Sequence, residues 1–399
     1  MLPPTMIPAL PPLGAAVRRE FALTDDFLTV NHGSYGATPG LVLAAQDAWR
    51  QRMEAQPTRF FAQELPAALR AVAARLAEFV GAYGEDLAFV SNATMGCNAV
   101  LRSLALEPGD EILCLGHVYN AVRNTMRHVS AGRGARLVMA ELPFPRPDRA
   151  EVIARLDQAL GPRTRLAVLD HIFSSSALVL PIADMVAHCH ARGVPVLVDG
   201  AHGPGQVPLD LTALGADYYV GNCHKWLMAP KGSAFLHVRR DRQSGLHPVT
   251  ISHGFEQGFL AEFDWTGTDD PSAFLAVPAA LDFFAQLGGA ALMARNAALA
   301  AASADAMAAR LGTEVGAASA MRGAMGLVRL PVARAPGEGA ATQEQARTLR
   351  RVLLAAGTDA PINAIAGAFW LRLSAHAYNE DADYQRLAAL VEKVLAKAA

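Results

Sequence analysis

The chain has 399 residues, 35 of them basic and 37 acidic, for a formal net charge of −2. That balance argues against a polyanion-binding protein, which needs a strong local excess of Lys and Arg, so nucleic acid is not an expected partner. A composition 52% hydrophobic and only 18% charged excludes disorder as the dominant state and leaves enough apolar material for a large core spread over two or three domain-sized units.

The N-terminal stretch MLPPTMIPALPPLGAAVRRE is apolar but broken by prolines, and its charges follow the apolar part, the reverse of a secretory signal. From about residue 85 to residue 240, short apolar runs alternate with helical periodicity. The runs are Leu87–Asn92, Glu111–Gly116, Arg136–Leu142, Arg165–His171, Val194–Asp199, Asp217–Asn222 and Ser233–Val238. Nearly all are apolar throughout, as in strands covered on both faces, and the helical segments between them predict an α/β layer structure. The texture changes near residue 286: Ala-rich helices, a strand-like Met325–Pro331, a loop at Pro336–Gly339, a helix from about Thr342, a strand-like Ala368–Ala375 and a C-terminal amphipathic helix. The domain reading is residues 1–30 as a segment packing near the small domain, 31–285 as a large domain and 286–399 as a small α+β domain.

Mean hydropathy is high, at +0.19, yet a bilayer span needs about 20 apolar residues in a row. The Ala-rich Ala290–Leu311 carries Arg295, Asp305 and Arg310 and reads as an amphipathic helix packed on protein, so no membrane partner is expected. Cys97, Cys114, Cys189 and Cys223 show no C-x-x-C spacing, which suits a reducing, cytoplasmic setting. His188, Cys189 and His190 are adjacent on an amphipathic helix, point in different directions, and read as structural; no metal site is expected.

No G-x-G-x-x-G follows a strand, and no G-x-S-x-G occurs, because NHGSYG puts His32 where the first glycine belongs. Two segments carry chemistry. In VLVDGAHGPGQ (Val196–Gln206) an apolar strand ends in Asp199; in DYYVGNCHKWLMAPKG (Asp217–Gly232) another is followed by Asn222, Cys223, His224 and Lys225. A carboxylate at the end of a buried strand needs a cationic partner, and a lysine beside an apolar strand is desolvated toward its nucleophilic, neutral form. Together they suggest a carbonyl cofactor that binds lysine and keeps a protonated ring nitrogen beside aspartate, and pyridoxal 5′-phosphate meets both requirements.

The V-D-G-A-H and H-K motifs, with Asp199 and Lys225 spaced 26 residues apart, resemble those of the class V aminotransferase superfamily of fold type I. The resemblance runs from NHGSYGATP (Asn31–Pro39) to LRLSAHAYN (Leu371–Asn379), and NHGSYG, HKW and FDWTGTDDPSA (Phe263–Ala273) make it closest to isopenicillin N epimerase-like members. It implies a large domain with a mainly parallel seven-stranded sheet between helices, plus a smaller C-terminal α+β domain. It also implies Lys225 as the Schiff-base lysine and proton shuttle, Asp199 at the pyridinium nitrogen and His202 near the ring hydroxyl. Ala93, Thr94, Asn222 and His224 would meet the phosphate, the first two at a helix N-terminus, where free amides hold anions. Tyr119 would stack on the ring, and Thr268 would reach the phosphate of a partner subunit, making a homodimer with shared sites. Arg372 would clamp a substrate carboxylate with its planar guanidinium, with Ser34 and Tyr35 nearby.

The implied reaction starts at Cα of an amino acid. A cysteine desulfurase carries a mobile nucleophilic cysteine shortly before the carboxylate-binding arginine; here no cysteine follows Cys223, so that activity is not expected. Epimerisation is the leading expectation; it needs a second acid or a water on the opposite face of Cα, with Tyr35 or His32 as candidate acids. A C–S β-lyase of the hercynylcysteine sulfoxide lyase or cysteine-conjugate type, a class V aminotransferase, and a cofactor-binding sensor without catalysis are the alternatives.

Overall fold

The seven apolar runs between Leu87 and Val238 all become strands of one sheet in the computed structural model, which describes residues 10–332 and 339–398. They are β1 (Leu87–Val90), β2 (Glu111–Leu115), β3 (Arg136–Ala140), β4 (Thr164–Asp170), β5 (Val196–Asp199), β6 (Tyr218–Asn222) and β7 (Ala234–Val238). Their spatial order is β1-β7-β6-β5-β4-β2-β3. Only β7 runs against its neighbours, pairing antiparallel with both β1 and β6; the others are parallel.

Both faces of this sheet are covered, which explains why its strands lack polar alternation. Leu113, Leu115, Ala167, Leu169, Val196, Val198 and Tyr219 point to one side, where helices α1 (Leu65–Val80) and, later in the chain, Ile182–His190 bury their apolar stripes. Ile112, Cys114, Leu166, Val168, Leu197 and Val220 point to the other, against α2 (Ala93–Ser103) and α3 (Asn120–Arg133). The period-two switch between the two lists is the pleat itself.

The C-terminal region builds a second, three-stranded antiparallel sheet in the order β8-β10-β9, from β8 (Met325–Arg329), β9 (Ile362–Ile365) and β10 (Ala368–Ser374). Strand β9 has no counterpart in the sequence reading: it is four residues long and sits between Pro361 and the Ala366-Gly367 turn, too short for a period to register. Helices α4 (Ala290–Leu311), α5 (Gln343–Ala355) and α6 (Asp381–Ala398) pack on this sheet. Thr342 caps α5 in a reciprocal box with Gln345, the arrangement that fixes the helix start. The expected loop at Pro336–Gly339 lies, but for Gly339, outside the described residues. The N-terminal segment touches both cores: Val17 and Phe21 enter the large one, while Leu28 and Val30 enter the small one.

No single helix among the described residues is long and apolar enough to cross a membrane. Ser272–Gln286 and α4 pass that test only jointly, and they are bent by 71° at Gly288 and Gly289, both with positive φ.

Candidate active site

Asp199, His202, Asn222 and Lys225, singled out from the sequence, lie at the carboxyl ends of β5 and β6 or on the loops that follow them, where open α/β sheets offer a crevice for ligands. Asp199 ends β5, Asn222 ends β6, and Asp170, not singled out from sequence, ends β4. Asp199 is buried, with Oδ1 accepting the Ala201 N–H at 3.0 Å. Burial holds its carboxyl above the usual carboxylate range, opposed by the Ala201 N–H and the Lys225 charge.

Lys225 lies part-buried on the loop after β6, with Nζ 3.1 Å from His202 Nε2. On the other side of the ring, His202 Nδ1 is 3.2 Å from Trp226 Nε1. An indole nitrogen can only donate, so His202 Nδ1 accepts and the neutral ring carries its hydrogen on Nε2. That N–H points at the lysine, which can accept it only as the neutral amine. The pKa agrees: burial draws Lys225 down to about 7, with Arg372 adding to the effect and Asp199 opposing it. Trp226 is fully buried beside the lysine and also sets the tautomer of His202. Gln206 fastens the same turn, donating to the His202 carbonyl at 2.9 Å while its Oε1 accepts the Ala324 N–H of the small domain.

The NHGSYG turn packs directly against the lysine loop. His32 Nε2 lies 3.0 Å from the Lys225 carbonyl, which can only accept, so Nδ1 takes the Tyr378 hydroxyl proton at 2.8 Å. Both ring nitrogens are thereby bonded, which removes His32 from the expected role of second acid and makes it a brace for the lysine backbone. Gly36 adopts φ +70°, and a Cβ there would stand 2.0 Å from the His224 carbonyl oxygen; only glycine allows that approach.

Arg372, on β10, is buried, and its hydrogen-bond partners among the described residues are neutral oxygens. Nη1 donates to the Ser174 carbonyl at 2.5 Å and to Ser174 Oγ at 3.2 Å; Nη2 donates to Asn31 Oδ1 at 2.8 Å and Ser34 Oγ at 2.7 Å. Its Nε is buried with no hydrogen-bond partner. Burial, then the charge of Arg350, draws its pKa down to about 10. A buried cation without a carboxylate in contact is costly unless an anion arrives. Ser174 and Asn31 were not predicted as parts of this site.

At the start of α2, Asn92 caps the helix by accepting the Met95 N–H at 2.9 Å, and the Ala93 N–H is taken by Asn222 Oδ1, also at 2.9 Å. Thr94 is part-buried in this first turn. His224 Nδ1 donates to the Ser233 carbonyl at 2.8 Å, leaving Nε2 as its other ring nitrogen, and burial lowers its pKa to about 4. Tyr119 precedes α3 with its side chain 45% exposed, while its backbone N–H bonds the buried Asp170 carboxylate. Tyr35 is exposed, with its hydroxyl beside Arg350. Thr268 is exposed on the turn after Trp265. Away from the site, His190 pairs with Asp217 at 2.8 Å and His188 with the Asp184 carbonyl at 2.9 Å, so the two histidines have separate local partners.

These residues fit pyridoxal 5′-phosphate: a neutral amine, a buried carboxylate pair with Asp170 Oδ2 unpartnered, and a capped helix N-terminus for an anion. The architecture defines the class, an α/β protein of fold type I. The profile of the family described as aminotransferase class V matches residues 37–387, and the chain belongs to that family, whose cofactor is pyridoxal 5′-phosphate. It is 33% identical to a putative L-cysteine desulfhydrase of Oryza sativa subsp. japonica over 96% of this chain and 86% of that one. It is also 33% identical to the isopenicillin N epimerase of Streptomyces clavuligerus over 93% of this chain and 96% of that one. Among solved structures, a cystine C–S lyase in complex with cysteine persulfide shares the fold, with a TM-score of 0.77, 24% identity and coverage of 92% and 98%.

Proposed function

We propose that the protein deprotonates an amino acid at Cα with Lys225 as the base, and that it expels a sulfur substituent from Cβ. The observation that carries this is the neutral state imposed on Lys225 by the Trp226–His202 chain, because a base must be unprotonated before it acts. When bound, pyridoxal phosphate supplies the electron sink that makes the Cα proton acidic. Asp199 holds a proton at the ring nitrogen. Thr94 at the α2 N-terminus, Asn222 and His224 would hold the phosphate, the Ala93 N–H beside them being already given to Asn222 Oδ1, and Tyr119 would cover the ring. Arg372 with Ser34 fixes the substrate carboxylate, orienting the Cα–H bond toward Lys225.

Elimination needs one base at Cα, whereas epimerisation needs an acid on the opposite face. With His32 bonded at both nitrogens, the single-base outcome is favoured. Epimerisation keeps as proton donors a water or Tyr35, which is exposed and whose charge acts on Arg372. The named relatives divide between the two reactions. A persulfide route is disfavoured by the lack of any cysteine after Cys223 and by the burial of all four thiols.

The test is a panel of amino acids incubated with holoenzyme in D2O and followed by NMR. Pyruvate, ammonia and a thiol or sulfide from cysteine and its S-substituted derivatives would carry the lyase. Cα deuteration with D/L interconversion and no elimination would overturn it in favour of the epimerase, and a keto acid formed with retained Cβ substituent would point to transamination. Lys225→Ala should abolish every one of these.

We also propose a homodimer in which Thr268 faces the partner's phosphate site. Its support is the exposure of Thr268 and of Met95, Val249, Ile251 and Phe255. Light scattering on the purified protein tests it, a monomer being the contrary result.

A further inference from the structure

Arg372 and Asp359 are joined through one amide. Asn31 accepts Arg372 Nη2 on Oδ1 at 2.8 Å and donates from Nδ2 to Asp359 Oδ2 at 2.6 Å. Asp359 is itself gripped by Arg350, whose Nε and Nη2 meet its two oxygens at 2.6 and 2.7 Å. The amide orientation is forced, since a carboxylate can only accept and a guanidinium can only donate. Ser34 closes the arrangement by donating to Asn31 Oδ1 at 2.8 Å while accepting from Arg372.

A carboxylate directly on Arg372 would orient it equally well but would neutralise it and compete with any incoming anion. The chain instead spends that carboxylate on Arg350 and interposes a neutral side chain. We propose that Asn31 is a positioning residue that fixes the Arg372 guanidinium in place while keeping the Asp359 carboxylate out of direct contact with it, so that the cation stays available for an amino-acid carboxylate. The inference rests on the assignment of Arg372 as the carboxylate clamp made above.

The decisive variant exchanges the two residues, Asn31→Asp with Asp359→Asn. Composition and the hydrogen bond between positions 31 and 359 are kept; the charge moves next to Arg372, and Arg350 keeps one neutral acceptor at position 359, a change that bears on alanine and ethylamine alike. The probes are L-alanine and ethylamine, its counterpart without a carboxylate, titrated against holoenzyme by the change in cofactor absorbance. The exchange should weaken alanine by about ten- to a hundredfold, the worth of a charge-assisted contact, and leave ethylamine unchanged. A structural defect would weaken both. Should the exchange fail to fold, Asn31→Ala, which moves no charge, should still weaken alanine severalfold and leave ethylamine alone. A folded exchange variant with the wild-type alanine-to-ethylamine ratio overturns the proposal, provided Arg372→Gln abolishes that ratio. If Arg372→Gln leaves the ratio intact, the clamp assignment falls and this proposal with it.

Discussion

Asp170 and Asp199 stand side by side at the ends of β4 and β5, in direct register on parallel strands, with both carboxyls buried. In-register neighbours on parallel strands point to the same face, so the two acids share one environment. Burial, followed by the charge of Asp199, pushes the Asp170 carboxyl well up; burial also raises Asp199. Two such groups cannot both ionise cheaply, and the pair holds a proton where a lone exposed aspartate would not.

That proton has a consequence for the apoprotein. Between the unfolded carboxyl pKa of about 3.9 and the raised folded values, the folded state binds more protons than the unfolded one. Stability therefore falls as pH rises through that window. Asp170→Asn removes one of the two acids, so the apo variant should melt above wild type at neutral pH, with the gap closing as pH is lowered to about 4. Melting curves over that range decide it; a gap independent of pH would mean that the acids do not interact.

Reactivity at Lys225 should follow its depressed pKa. Attack on the aldehyde of pyridoxal phosphate requires the free amine, so the rate at which apoprotein takes up cofactor should rise with pH through about 7 and level off above it. Trp226→Phe removes the indole donor to His202 Nδ1, and the ring can then turn an acceptor toward Nζ and favour the ammonium. The midpoint of the rate profile should move up by about one to two pH units, equivalent to one charge-assisted hydrogen bond. An unmoved midpoint in a folded variant would show that the tautomer does not control the amine.

What could be read along the chain was local: doubly covered strands, a helix from about Thr342, and an aspartate and a lysine each at or just past the end of an apolar run. Asp170 also ends such a run, but nothing in the run reveals that β4 lies beside β5 and puts a second acid next to the first. Asn31, Ser174 and Asp359 were illegible for the same reason. Arg372 is brought to Asn31 and Ser174 by β10, across sequence separations of 341 and 198 residues, and Asp359 meets Asn31 across 328; no periodicity encodes either. His32 was visible as a polar residue in a tight turn, while its role depended on two contacts 193 and 346 residues away.

The cysteines offer a test independent of the cofactor. All four are buried and unpaired, and burial raises each thiol, to about 12 for Cys114 and Cys189 and higher still for Cys223. Thiolate is the reactive form, so Ellman's reagent should label none of the four rapidly in native protein and all four after denaturation. A fast-reacting native thiol would reopen the persulfide route.

Gly36 and Gly193 permit a paired measurement of what the close approach at the lysine loop is worth. Both adopt φ +70°, but a Cβ at Gly193 meets nothing within 4 Å, whereas at Gly36 it meets the His224 carbonyl oxygen at 2.0 Å and the Lys225 carbonyl oxygen at 2.9 Å. Gly193→Ala therefore carries only the left-handed strain, about 1–2 kcal/mol. Gly36→Ala carries that strain and a backbone clash that can be relieved only by moving the lysine loop, for a total of about 3–5 kcal/mol. Denaturant unfolding of the two apo variants should show that difference, and only Gly36→Ala should slow cofactor uptake, because only there does the relaxation displace Lys225. Equal costs at the two positions would mean that the turn and the lysine loop do not bear on one another.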